Sequence, residues 1–202
     1  MNKLFLYLVL LASASVAHAG TFELKTVDAS GAWYTYSGYV NDDDATQLRG
    51  IMKTFPGTNV FITINSGGGS AYGGIALFWE AERWDNLITI AGKDFGAWSA
   101  AAVFWLGSPR DWFEAKESKV GFHQAYCNPI HPPGCDLTHF SKRLAELFNK
   151  AGYHGKLFDA YLTNLQSTWG IHGWVVVTDE GWLFYHSRIG ISHKLIPIWE
   201  IK

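Results

Sequence analysis

The sequence is short of charge. Asp, Glu, Lys and Arg together make up 17% of the 202 residues, and the formal net charge is −2. Proteins that bind nucleic acid or anionic lipid surfaces usually carry a surplus of positive charge, so neither partner is expected here. Internal repeats, low-complexity tracts, domain linkers and a phosphate-binding P-loop are also missing from the sequence.

Long apolar runs are absent except at the start. Leu4 to Val16 is almost wholly apolar, Lys3 precedes it, and Ala17-His18-Ala19 is a small-x-small cleavage signal. A run of 13 residues is shorter than the roughly 20 that a membrane-spanning helix needs. The pattern is typical of a cleaved secretory signal peptide, with a membrane anchor as the alternative. We therefore predict a signal peptide over 1–19, a single domain over 20–202 and a periplasmic or secreted location.

Cysteine is scarce. Cys127 and Cys135 are the two cysteines, and both lie in the predicted mature chain. In an exported protein this pair favours one disulfide. The alternatives are two free thiols or a partial metal site with His131 and His139. We expect no metal and no cofactor.

Strand-like and helix-like segments alternate along the rest of the chain. The expected strands are 21–27, 33–40, 59–65, 86–91, 111–115 and 119–123, and the expected helices are 45–55, 73–84, 97–106 and a long one near 137–167, broken near Gly152 or Gly155. Such alternation predicts an α/β fold whose strands are joined by crossover connections.

A glycine-rich loop follows the buried-type strand 59–65. The stretch INSGGGSAYGG, residues 64–74, holds five glycines in eleven positions. Glycine is useful where the backbone must approach another group closely or take a positive φ. The loop is therefore expected to be a strand–loop–helix turn with exposed amides, although a simple tight turn would have the same composition.

Two polar residues stand in otherwise apolar segments. Ser99 lies in the small-residue segment FGAWSAAA, and His123 ends the strand-like segment VGFHQ. Taken singly, Ser99 is more often a packing or capping residue, and a histidine of this kind is more often structural. Together they could instead be a nucleophile and its base, because such residues are adjacent in the fold and not in the sequence.

In this order, INSGGGSAYGG, the Ser99 segment and VGFHQ resemble the Clp protease proteolytic subunit family. That family carries an INSPGG-like loop, a nucleophilic serine at a helix start and an I-H-Q-like strand end. The likeness runs from about Trp33 to about Ile196. It implies a ClpP/crotonase-like α/β fold with repeated β-β-α units and the long helix near 137–167.

The resemblance also implies a site. Ser99 would be the nucleophile and His123 the general base. The amide of Gly69, with that of Gly68, would join the amide of Ala100 in an oxyanion hole.

The sequence departs from the family pattern at several points. Gly67 stands where the loop usually has proline, and one residue is inserted before Ser99. The acidic member of the triad is poorly marked, and counting back from Gly190 selects Asp179, with Glu180 second. Related signal peptide peptidases use a Ser-Lys pair, so Lys119 and Lys93 stay open as alternative bases.

The predicted function is an exported serine peptidase that hydrolyses short or unfolded polypeptides through a Ser-His-Asp triad. Its substrate would be a peptide or unfolded protein, it could form a homo-oligomer, and no ATPase partner is expected after export. Two alternatives stay open. One is a catalytically silent relative that binds peptides. The other is a crotonase-type acyl-CoA enzyme, which export disfavours because coenzyme A is a cytoplasmic cofactor.

Overall fold

The structure is a computed structural model. It describes residues 19–125, 137–153, 155, 158–160, 163–164, 172–186 and 191–196. The predicted signal peptide, apart from Ala19, lies outside the described residues. So does the predicted disulfide between Cys127 and Cys135.

Strands and helices alternate in the first half of the chain, and strands dominate its end. The strands are β1 (Thr21–Asp28), β2 (Gly31–Ser37), β3 (Val60–Asn65), β4 (Leu87–Ala91), β5 (Ala97–Trp98), β6 (Asp111–Phe113), β7 (Val120–Phe122), β8 (Gly173–Thr178), β9 (Gly181–His186) and β10 (Ile191–Ile196). The helices are α1 (Asp44–Thr54), α2 (Ala71–Ala81), α3 (Ala100–Gly107) and α4 (Leu137–Lys150). The predicted α/β class is confirmed.

The strands form two five-stranded sheets. The first has the order β1-β2-β3-β4-β6, in which β1 is antiparallel to β2 and the other pairs are parallel. The second has the order β10-β9-β8-β7-β5, in which only the β5–β7 pair is parallel. An isolated bridge between Ser66 and Ala97 connects the end of β3 with the start of β5.

Helix α3 belongs to the centre of the core. Its sequence AAAVFWLG is apolar throughout, and all eight residues are buried, as expected for a helix without a polar face. Glycines allow α2 to pack closely against it. A Cβ at Gly74 would lie 2.7 Å from the carbonyl oxygen of Ala100, and one at Gly107 would lie 2.6 Å from Cα of Phe78.

Three parts of the fold differ from the sequence-based prediction or extend it. The segment 97–106 begins as the short strand β5, and its helix starts only at Ala100. Helix α4 ends at Lys150, before Gly152 with its φ of +85°, at the first of the two predicted break points. Strands β8 to β10 were not predicted as strands.

Within the described part of the chain, no helix has both the length and the apolar character needed to cross a membrane.

Candidate active site

Ser99 occupies a sharp turn between β5 and α3. Its backbone has φ 55° and ψ −122°, and among the described residues it is the only non-glycine with a positive φ. The turn is fixed by a hydrogen bond from the Ser99 amide to the carbonyl of Gly121, 2.8 Å long. A strained strand-to-helix turn of this kind presents a side-chain oxygen at its apex, as nucleophilic serines require.

His123 reaches Ser99 because their strands are neighbours. β5 and β7 are parallel, with Trp98 opposite Gly121, so the residues that follow them emerge at the same edge of the sheet. The Nε2 atom of His123 lies 2.7 Å from the Oγ atom of Ser99. This distance is a hydrogen bond, and it is the geometry in which an imidazole can remove the serine proton.

The surroundings of His123 favour the neutral imidazole. Burial lowers the pKa of His123 from its ordinary value of 6.5, while a hydrogen bond with the backbone of Gln124 acts in the opposite direction. A neutral ring can accept a proton at neutral pH, whereas an imidazolium cannot. The half-buried His123 is therefore in the protonation state that a general base needs.

Two tryptophans hold the imidazole in place. The ring of Trp174, on β8, packs against His123 with 4.2 Å between the ring centroids. The ring of Trp98 meets Trp174 edge-on at 5.3 Å. Trp98 fits because Gly121 has no side chain: a Cβ there would lie 2.1 Å from the Trp98 ring. Trp174 was not singled out from the sequence, because its contact with His123 depends on the pairing of β7 with β8.

The glycine loop lies against the nucleophile. A Cβ placed on Gly68 would be 2.5 Å from Cβ of Ser99 and 3.0 Å from the amide nitrogen of Ala100, and Gly68 has a φ of +98°. Position 68 is therefore restricted to glycine by both contact and backbone conformation. The loop and the start of α3 together form the wall beside the Ser99 hydroxyl.

The predicted oxyanion donors differ in how they are engaged. The amide of Gly68 donates to Oγ of Ser66 at 3.2 Å. Within the described part of the chain, no acceptor takes the N–H of Gly69 or of Ala100. These two amides thus have no acceptor among the described residues, whereas Gly68 lies against Ser99 without a side chain.

Asn65 and Ser66 hold the glycine loop to the segment that leads into β5. The Oδ1 atom of Asn65 accepts hydrogen bonds from the amides of Phe95 and Gly96, at 3.1 and 3.4 Å. The Ser66 amide donates to the carbonyl of Gly96, and the Trp98 amide donates to the carbonyl of Ser66, both at 3.0 Å. These contacts set the separation between the loop and Ser99. Asn65 was not singled out from the sequence, although it stands at the start of the loop.

The choice of Asp179 as the third triad residue is corrected by the structure. Asp179 and Glu180 form the exposed turn between β8 and β9, and Glu180 pairs with Lys116 at 2.5 Å. Because β7 and β8 are antiparallel, with Val120 opposite Val177, this turn lies beyond the start of β7. His123 follows the other end of β7. Asp179 lies five residue steps along the chain from Trp174, roughly 16 Å of extended strand, so neither acid reaches the imidazole.

The two lysines that were kept open as bases are exposed. The Ser99 hydroxyl is hydrogen-bonded to His123 instead. Within the described ranges, no group of three or more His, Cys, Asp or Glu residues is placed to hold a metal ion.

No protein-family model matches the chain, and no curated protein matches it. Among solved structures, the chain is similar to a mutant of the 1510-N membrane-bound stomatin-specific protease, with 12% identity, a TM-score of 0.46, and coverage of 64% of this chain and 68% of that one. It is also similar to a mutant ClpP1 from Listeria monocytogenes, with 14% identity, a TM-score of 0.47, and coverage of 61% and 74%. At these identities and TM-scores, neither likeness carries an argument about family, substrate or activity.

Proposed function

We propose that this protein is an exported serine peptidase that uses Ser99 as nucleophile and His123 as general base. The observation that carries the proposal is the 2.7 Å contact between Nε2 of His123 and Oγ of Ser99 at a strained strand-to-helix turn. A packing serine in a core would have no need of a positive φ, which costs about 1–3 kcal/mol for a residue other than glycine.

The reaction follows from this arrangement. His123 takes the Ser99 proton while Oγ attacks the carbonyl carbon of the substrate. The amides of Gly69 and Ala100 donate to the oxygen, which becomes negative, and each such donor is worth roughly 10²–10³ in rate. His123 then gives the proton to the leaving amine. Water hydrolyses the resulting acyl-enzyme by the same steps.

The proposal rests on Ser99 and His123 and assigns no acid to the third position of the triad. An aspartate in a triad fixes the tautomer and orientation of the histidine. Here the packing of Trp174 against the ring and the burial of the ring supply orientation. Asp179 has no part in the reaction because of its distance from His123.

Export, the disulfide and assembly belong to the same proposal. The signal-like segment before Gly20 supports removal of residues 1–19 and a periplasmic or secreted enzyme. A bond between Cys127 and Cys135 would suit that compartment and would stabilise the segment after His123. The enzyme acts on short peptides or unfolded chains without an ATPase partner, and self-association into a homo-oligomer is proposed from the family resemblance alone.

A fluorophosphonate probe tests the nucleophile directly. The purified protein should become labelled on Ser99, and Ser99→Ala should lose both labelling and peptide hydrolysis. Ser37→Ala, which removes an exposed serine at the end of β2, is the matched control and should keep both. Absence of labelling in the wild-type protein would favour the silent peptide-binding relative, and equal labelling of Ser99→Ala would refute the assignment.

A further inference from the structure

A buried carboxylate lies at the start of α1, away from the catalytic pair. Asp44 is fully buried. It accepts hydrogen bonds from the hydroxyl of Tyr36 at 2.6 Å, from the amide and side-chain nitrogens of Asn41 at 2.9 and 2.7 Å, and from the side chain of Gln47 at 3.3 Å. All of these donors are neutral. Among the described residues, none of the ion pairs includes Asp44.

A buried carboxylate normally has a cationic partner, because hydrogen bonds alone replace only part of its lost hydration. Asp44 is not a helix cap either. The N-cap of α1 is Asp43. The position of Asp44 therefore requires an explanation beyond helix formation.

Gly20 packs directly against this carboxylate. It is buried, and a Cβ placed on it would lie 2.3 Å from Oδ2 of Asp44 and 2.4 Å from the hydroxyl of Tyr36. Within one residue, nitrogen and Cβ are about 2.5 Å apart by covalent geometry. The nitrogen of Gly20 is thus within about 5 Å of Asp44 Oδ2.

Gly20 is also the residue that follows the predicted cleavage signal. In the intact chain its nitrogen is a neutral amide bonded to Ala19. Hydrolysis of that bond by a leader-removing peptidase consumes one water and leaves a carboxylate on Ala19 and an ammonium on Gly20. Removal of Ala19 also ends its bridge to Tyr39 and the hydrogen bond that its carbonyl accepts from Thr21.

We propose that the α-ammonium of Gly20, created by removal of residues 1–19, forms an ion pair with buried Asp44. The proposal rests on the proposed export and cleavage, but it does not need the peptidase activity. The new ammonium supplies a counter-charge to a carboxylate that has none among the described residues of the intact chain.

The other charged and titratable groups around this place are few. Tyr36, on β2, is buried and donates to Asp44, and burial together with Asp44 raises its pKa well above the ordinary value. Asp42 and Asp43 line the adjoining recess with Ala19, Asn41 and Ser70 among others. Both acids are exposed, and their charge also favours an ammonium over a neutral terminus.

The ion pair would stabilise the segment Val40–Asn41, which is hydrogen-bonded to the glycine loop that carries Gly69. Asn41, which binds Asp44, follows Val40. The Val40 amide donates to the carbonyl of Gly68 at 2.9 Å, and the Ser70 amide donates to the carbonyl of Val40 at 2.8 Å. Gly69 is thereby held between two backbone contacts. Processing at Gly20 thus stabilises the strand-like contact that positions the Gly69 amide.

The test is a titration of the α-amino group in the protein recovered after export. Its N-terminal residue is identified by mass spectrometry, and the rate of acetylation of that amine by acetic anhydride is followed against pH. An ordinary α-amino group has a pKa of about 7.7–8.0. In the wild-type protein the midpoint should lie at least about one unit higher, so acetylation at pH 7 is about tenfold slower than in Asp44→Asn.

Asp43→Asn is the matched control, because it removes the same charge from the exposed neighbour and should leave the wild-type midpoint within a few tenths of a unit. Ser99→Ala should titrate as the wild type does, which separates this result from the question of peptidase activity. An N-terminus other than Gly20, or an ordinary midpoint in the wild-type protein, overturns the proposal. If Asp44→Asn fails to fold, the midpoint of the α-amino titration in the wild-type protein is sufficient to test the proposal.

Discussion

At the scale of single residues, the site depends on two side chains in unusual settings. Ser99 has a backbone conformation that few residues other than glycine adopt. His123 is a histidine that burial keeps neutral. Neither property is visible in the residue type, and both arise from the pairing of β5 with β7 and of β7 with β8.

The acid limb of the activity profile should report the pKa of His123. Its pKa in the folded protein is below 6.5, so the fall of kcat/KM on acidification should be centred below pH 6.5. Trp174→Ala, which exposes the ring to water, should move this fall upward toward 6.5 and reduce kcat. Trp174→Phe should keep most of the packing against His123, so the pH at which kcat/KM falls should move less than in Trp174→Ala. A fall centred above pH 6.5 in the wild type would contradict the burial of the imidazole.

The lowered pKa of His123 also makes the free energy of unfolding depend on pH. The unfolded chain binds a proton at His123 with a pKa of about 6.5, and the folded chain binds it only at lower pH. Protonation therefore favours the unfolded state. The free energy of unfolding should decrease as pH falls from about 6.5 toward the lowered pKa, and His123→Gln should lose this component in urea titrations at pH 7 and 5.5.

At the scale of elements, the glycine loop and β5 act as one unit. Asn65 and Ser66 bind the loop to residues 95–98, and the loop faces Ser99 through Gly68. A change in any of these contacts would alter the distance between the glycine loop and Ser99. If the proposed reaction is right, a displacement of about 1 Å would lower its rate without unfolding the protein.

Alanine at two adjacent positions of the loop should separate these effects. Gly68→Ala places a Cβ 2.5 Å from Cβ of Ser99 at a φ of +98°, so activity should fall at least 100-fold. The free energy of unfolding should fall by about 1–3 kcal/mol. Among the described residues, a Cβ at Gly67 would meet only the Phe95 ring, at 3.5 Å. Gly67→Ala should therefore keep activity within about threefold, an estimate from the small effects usual at sites without new contacts. Equal losses in the two variants would mean that the loop does not face the nucleophile as described.

The elements also show what could be predicted from the sequence. The glycine loop, Ser99 and His123 were recognised because each has a local signal and their order matched a known family. Asp179 was chosen by counting along the chain from Gly190, and a count cannot reveal that an antiparallel partner places that turn at the wrong end of β7. Trp174 and Asn65 were missed because their roles come from contacts between distant segments.

At the scale of the whole molecule, Ser99 and His123 directly follow β5 and β7 of the second sheet, and the glycine loop follows β3 of the first. The Ser66–Ala97 bridge connects the two sheets at this point. In the proposed reaction, the substrate carbonyl must come within reach of the Ser99 hydroxyl and of the Gly69 and Ala100 amides. A peptide segment that does so has to be released from its own fold and extended.

Compact proteins should therefore resist cleavage. To present an extended segment, a folded substrate must open locally, at a cost of up to its global stability of typically 5–15 kcal/mol. One stable protein can be offered in its native form and in a permanently unfolded, reduced and alkylated form. The unfolded form should be cleaved at least 100-fold faster, since an opening cost of about 3 kcal/mol already reduces the competent population by that factor. Comparable rates for the two forms would contradict the access argument.

The backbone conformation of Ser99 has a consequence for the history of this chain. Glycine would adopt a φ of 55° there without the steric cost, and mutations that raise stability without harm are readily found in natural proteins. Relief of about 1–3 kcal/mol of strain exceeds the 0.5–1 kcal/mol that glycine loses in chain entropy. A lineage that had ceased to need the hydroxyl would thus be free to drift toward glycine at position 99. That serine still occupies this position is what selection for its chemistry would leave behind.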